Sequence, residues 1–165
     1  MILSVLIILT AQFYSVQGEF GVIFRDSLCP FHDAEYVTEP DSYIDENNGL
    51  FFNFSIIKTF PLTTEGYLGI IRASMGEYVV DTGINGQLPL CEMFYEPIIF
   101  GPILQMFGFD ENNCPPKPGV YGSENYTFPT SMFPDDFPPN KYKVAFEIIN
   151  ESKQLLVIHV YADVQ

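Results

Sequence analysis

A chain of 165 residues has room for one domain with a sizeable core. Only 7 Lys and Arg stand against 21 Asp and Glu, a formal net charge of −14. That balance argues against nucleic acid or an anionic membrane as partner, because both select a basic face. Acidic chains poor in aromatics tend to disorder, but this one carries 16 Phe and 10 Tyr, so it must bury that surface or wrap it around something.

Residues 1–18 read as a secretory signal peptide, with the apolar core Ile2-Leu3-Ser4-Val5-Leu6-Ile7-Ile8-Leu9 and small residues at Val16-Gln17-Gly18, where cleavage is expected after Gly18. The run is too short for a transmembrane helix. Residues 19–165 then form one domain, expected to be secreted and monomeric. Phe20 to Arg25 predicts a short first strand. Asp33 to Asn48 is acidic and ends in an Asn48-Gly49 turn signal; its carboxylates lack the spacing of a calcium loop, so it reads as a solvated loop with no metal. Leu50 to Ile57 is a strand pattern. Period two puts Leu50, Phe52, Phe54 and Ile56 on one face and Asn53 and Ser55 on the other. Asn53 heads the sequon Asn53-Phe54-Ser55, and Asn125-Tyr126-Thr127 and Asn150-Glu151-Ser152 are two more, all candidate glycosylation sites.

Gly66 to Arg72 and Glu77 to Asp81 read as a strand pair turning near Ser74-Met75-Gly76. The string Val79-Val80-Asp81-Thr82-Gly83 is the one catalytic-looking motif. Aspartic proteases place two apolar residues before Asp-Thr-Gly and share a proton between two carboxylates. Ile84 stands where that family has a small residue, and Ile98-Ile99-Phe100-Gly101 is a poor match to its later apolar-Gly element, so a strand-to-loop turn is the simpler reading. His32 and His159 are the only histidines, and neither sits in a nucleophile motif. No catalytic residue, metal cluster or cofactor cradle is expected. From Pro89 to Gly108 the pattern turns helical: Pro89 and Pro102 each fit a first helical turn, and Gly108 is a stop. Met93, Phe94, Ile98, Ile99, Phe100, Ile103, Leu104, Met106 and Phe107 give this excursion more apolar surface than it needs to anchor itself, which suits either a core cap or the lid of a ligand cavity. Lys141 to Ile149 alternates, with Tyr142, Val144, Phe146 and Ile148 inward; Gln154 to Val164 is apolar on both faces and reads as a central strand. Short strands joined by Pro- and Gly-rich turns predict an all-β fold, a two-sheet β-cup or sandwich in which the Pro-broken helical excursion forms a lid.

The stretch Leu90-Cys91-Glu92-Met93, the apolar run after it, Cys114-Pro115-Pro116-Lys117-Pro118-Gly119-Val120-Tyr121, the Pro-spaced segment (Pro129, Pro134, Pro138, Pro139) and the two last strands together resemble the ganglioside activator family of secreted lipid-binding β-cups. Within it they are most similar to the insect chemosensory-protein-B group. The resemblance covers roughly Asn48 to Val164. It implies a Cys91–Cys114 disulfide. In ganglioside activators an early cysteine pairs with one in the final strand; Cys29 resembles the early member, but Leu155-Leu156-Val157-Ile158 offers no partner, leaving Cys29 a buried free thiol or an intermolecular partner.

The implied function is a non-enzymatic carrier of an apolar ligand: a lipid, a glycolipid or a cuticular-hydrocarbon-like pheromone, with a part in chemosensory perception and a membrane receptor or channel as onward partner. Phe52, Phe54, Ile56, Val144, Phe146 and Ile148 are expected to line one inward wall, with Met93, Ile98, Phe100, Ile103, Leu104 and Phe107 closing the opening. The competing readings are a secreted interaction module with a closed core and, more remotely, an aspartic protease-like enzyme acting through Asp81-Thr82-Gly83.

Overall fold

The computed structural model describes residues 21–128, 130 and 137–165; the signal peptide expected at 1–18, Phe20, Pro129 and Pro134 lie outside them. The fold is an all-β two-sheet sandwich with one short helix. The large antiparallel sheet is ordered β1 (Val22–His32), β8 (Lys153–Val164), β7 (Asn140–Asn150), β4 (Thr64–Ser74), β5 (Glu77–Pro89), and the small one β2 (Asp41–Ile44), β3 (Leu50–Ile56), β6 (Gly119–Tyr126). Between β5 and β6 lie a 3-10 turn at Met93–Tyr95, helix α1 (Phe100–Met106) and a second 3-10 turn at Glu111–Asn113.

Period-two patterning forms the faces that the sequence predicts. On β3, Leu50, Phe52, Phe54 and Ile56 are buried and Asn53 is exposed. On β7, Tyr142, Phe146 and Ile148 are buried and Val144 is half-buried. β8 has a hydrogen-bonded neighbour on each side, β1 and β7, as its two apolar faces require. The β4–β5 hairpin turns through Met75 and Gly76, both at positive φ.

Four differences from the sequence reading have local causes. The first strand runs on to His32, with register shifts that accommodate Arg25-Asp26 and Cys29-Pro30; Pro30 is tolerated because β1 is an edge strand. The acidic stretch is not all loop, since Asp41–Ile44 adds a short edge strand to β3. β5 does not stop at Asp81. Ile71 pairs with Asp81 and Gly69 with Asn85, so β5 carries two extra residues opposite Ile70. Asp81-Thr82-Gly83 is therefore a bulge inside a long strand, not a strand-to-loop turn. β6 was not anticipated, because Gly119, Gly122 and Asn125 break its apolar pattern.

The small sheet is the shorter one and covers only part of the large one. Where the two face each other the core is solid and aromatic. Phe107, just past α1, stands between the sheets, 5.1 Å from the Phe52 ring on β3 and 5.0 Å from the Phe146 ring on β7. Phe54 packs against Phe109 and Tyr121 beside it.

Candidate functional site

Beyond Phe107 the inner face of the large sheet changes character. Along β8 it passes from Leu156 and Ile158 to Val160, Ala162 and Val164; along β7 it passes from Ile148 and Phe146 to Val144 and Tyr142. The side chains of β8 shrink in that direction, and a partly open apolar cavity of about 210 Å³ lies there. Its floor is Ile70, Tyr142, Val144, Val160, Ala162 and Val164. Val22 and Phe24 of β1 close one side, and Ile84, carried inward by the β5 bulge, closes the other. Ile98, Ile99, Ile103 and Phe128 form the roof.

The lining has one polar side-chain atom, the Tyr142 hydroxyl, which donates to the Pro138 carbonyl at 2.7 Å. Burial pushes the Tyr142 phenol up, against a smaller downward pull from Arg72. A water here would find at most one side-chain partner, the acceptor side of that hydroxyl, and apolar cavities of about 150 Å³ stay dry and admit benzene or xenon.

The roof is held by backbone chemistry. Helix α1 starts at Phe100 with no side-chain cap from Ile99. Instead the Glu96 carboxylate accepts from the backbone N–H groups of Ile98, Ile99 and Phe100 at 3.1, 2.7 and 2.9 Å. Burial pushes the Glu96 carboxyl up, but the three donors outweigh it and hold it below the usual carboxylate range. Pro102 lies in the first turn of α1, where no intrahelical N–H is needed. Phe100 and Met93 rest on β5 and β4 at Gly86 and Gly66, where any Cβ would meet the Phe100 ring at 2.9 Å or the Met93 sulfur. The Cys91–Cys114 disulfide, with Cα atoms 5.6 Å apart, closes the excursion at its base.

Of the ligand residues expected from sequence, Ile98, Ile103 and Val144 line the cavity. The others are displaced from it for identifiable reasons. β3 and β7 belong to different sheets, so Phe52, Phe54 and Ile56 face Phe146 and Ile148 across the sandwich instead of sharing one wall. These five, with Met93, Leu104 and Phe107, are core side chains, each 3 % exposed or less. Phe100 is spent on Gly86. The residues that the sequence reading missed include Val160, Ala162 and Val164, whose signal was the decline in side-chain size along the last strand, and also Val22, Phe24, Ile70, Ile84 and Phe128.

Asp81 is exposed, and its carboxylate accepts from the Gly83 N–H at 2.8 Å and from the Asn85 side chain at 3.2 Å, while Thr82 donates to the Ile70 carbonyl at 2.6 Å. These bonds shape the bulge that turns Ile84 into the cavity. Cys29 is half-buried, and its thiol, pushed up chiefly by burial, lies 3.3 Å from the Phe31 carbonyl. Among the described residues there is no group of three or more His, Cys, Asp or Glu able to hold a metal ion, and no helix long and apolar enough to cross a membrane. No protein-family model matches the sequence, and no curated protein matches it.

Proposed function

We propose that this protein is a secreted, non-enzymatic binder of an uncharged apolar ligand. The observation that carries the reading is the partly open apolar cavity of about 210 Å³ whose one polar side-chain atom already donates to a backbone carbonyl. Burying a charge there without a partner is prohibitive, so a carboxylate or ammonium head would stay at the rim, near the exposed Ile98. Scaled from benzene in about 150 Å³, the space suits a chain segment of about eight to ten carbons. Eight methylenes at about 0.8 kcal/mol each contribute roughly 6 kcal/mol, a Kd of order 10–100 µM.

The resemblance to ganglioside activator-like proteins and to the insect chemosensory-protein-B group supports the same ligand class. On that resemblance we assign the protein to chemosensory perception of cuticular-hydrocarbon-like cues, with a membrane receptor or channel as the onward partner. Native mass spectrometry of secreted protein, followed by organic extraction, tests the reading. An uncharged hydrocarbon or a lipid bound one to one is the expected result. Protein that is ligand-free and takes up no uncharged probe would leave the closed interaction module.

A further inference from the structure

We propose that the outer face of the small sheet is a built seat for the first sugar of an N-glycan on Asn53, and that the seated N-acetylhexosamine covers Phe51 and Val120 and braces β3 against β6. The inference shares with the proposed function only the passage of the chain through a secretory pathway.

Asn53 is exposed and lies on β3, the middle strand of its sheet, so a glycan there rises over folded sheet and not from a loop. Phe51 and Ser55, two residues away on either side, share its face. The neighbour of Asn53 across the ladder to β6 is Gly122. Gly122 has φ +138°, and a Cβ there would overlap the Phe52 carbonyl oxygen, so only glycine fits. No side chain therefore stands beside Asn53 on that side. The gap is an open recess of about 210 Å³ walled by Phe51, Val120, Ser123 and Glu124. Val120, paired with Ser55, is 76 % exposed. Phe51 is backed by Tyr43, whose ring stacks on it at 4.5 Å.

Phe51, Tyr43 and Val120 put apolar surface on this face beside the polar Ser123 and Glu124, with Asp41 of β2 paired to Asn53 on the other side. The occupant is indicated by the sequon at its centre. A pyranose ring has an apolar C–H face, which suits the electron-rich face of an aromatic ring. Tethered through Asn53 Nδ2, the ring reaches Phe51 at high effective concentration. In the transfer, Nδ2 forms a bond to the anomeric carbon of a polyprenyl-pyrophosphate oligosaccharide. The bond from that carbon to the pyrophosphate oxygen breaks, the polyprenyl pyrophosphate leaves with the electron pair, and the amide loses one proton. The Ser55 hydroxyl completes the sequon.

The test uses protein secreted from cells that make only high-mannose glycans. Three forms are compared: intact, trimmed by endoglycosidase to a single N-acetylglucosamine, and unglycosylated at Asn53 through Ser55→Ala or, independently, Asn53→Gln. Peptide mapping is expected to find Asn53 occupied. The intact and trimmed forms are expected to melt together, about 2–5 °C above both sequon variants, the size of one aromatic contact in a domain of this length. Within Phe51→Val and within Val120→Ser the same comparison should give a smaller gap, each background serving as its own reference. In the trimmed form, NMR should show the sugar's protons shifted upfield by Phe51, and that shift should vanish in Phe51→Val. An unmodified Asn53 in secreted protein, an occupied Asn53 with no melting gap, or a gap undiminished by Phe51→Val each overturns the proposal and leaves the cavity reading standing. Absence of ligand uptake overturns the cavity reading alone, and retention of the chain inside the cell overturns both at their shared premise.

Discussion

Ala162→Leu is expected to stabilise the ligand-free protein and to block uptake, a combination that a filled core would not give. Ala162 faces the cavity from β8, between Phe24 on β1 and Tyr142 on β7. Left empty, about 210 Å³ forfeits contacts worth at most about 5 kcal/mol at ~24 cal/mol per Å³. Leucine adds three carbons, worth about 2.4 kcal/mol at ~0.8 kcal/mol each, and loses about 0.5–1 kcal/mol of rotamer entropy. The net gain of about 1.5 kcal/mol should raise Tm by about 3–6 °C. The same carbons occupy the ligand's space, so displacement of an uncharged naphthylamine probe should weaken at least tenfold, about 1.4 kcal/mol. Phe146→Ala is the matched control. Phe146 is 1 % exposed and stacked on Phe107 in the closed half, so its loss should cost about 3–5 kcal/mol and leave probe affinity of the folded protein within about threefold. If Ala162→Leu instead destabilises by the roughly 1–3 kcal/mol typical of overpacking, the space is not available in solution and the reasoning fails.

Glu96→Gln removes the charge that caps α1, and should lower stability by about 1 kcal/mol while speeding probe entry and release in stopped-flow, since the Glu96 carboxylate holds the N–H groups of Ile98 and Ile99; unchanged rates would show that the roof does not gate the cavity. The folded value of Glu96 lies below its ordinary 4.5, so its contribution is full above pH 4.5 and is lost as pH falls through the folded value. That loss should be absent from the acid limb of Glu96→Gln melts. Replacing Cys91 and Cys114 by Ser opens a loop with a sequence separation of 23 and should cost about 3 kcal/mol, with Cys29 recovered unpaired in non-reducing peptide maps of the parent; Cys29 linked to either partner would contradict the pairing. Tyr126 is a phenol that burial pushes up from 10.0 to about 12, so the fold favours its neutral form. Its contribution is present below pH 10 and is lost as pH rises towards 12, and Tyr126→Phe should flatten part of that decline in thermal melts; identical profiles would remove the assignment.

What was legible in the sequence was whatever alternation alone decides. The inward faces of Leu50–Ile56 and Asn140–Asn150 could be read because period two leaves no second choice once one face is apolar. The short helix around Pro102 was legible for a similarly local reason, whereas the Cys91–Cys114 closure was expected only from the family resemblance. Which strands share a sheet is not local. β3 and β7 have equally good apolar faces, and nothing within either strand says that they oppose each other across the core. The expected single wall was therefore two walls, and the largest side chains on it, those chosen as ligand contacts, were the ones that fill the space between.

The cavity follows from the opposite rule. A cavity opens where side chains are too small to meet, so its markers are Val160, Ala162 and Val164, residues that a search for abundant apolar surface passes over. Its walls also depend on two backbone irregularities that period-two reading cannot register. One is the pair of extra residues in β5, held by the Asp81 carboxylate and the Thr82 hydroxyl, which turns Ile84 inward. The other is the Glu96 cap, which starts α1 late enough for Ile98 and Ile99 to hang over the opening. In both, an acidic side chain is used to satisfy backbone N–H groups that strand or helix geometry leaves without partners. The motif that looked most like catalysis and the Glu96 carboxylate thus share one structural task. Each shapes the backbone at the edge of a space that contains no free polar side chain of its own.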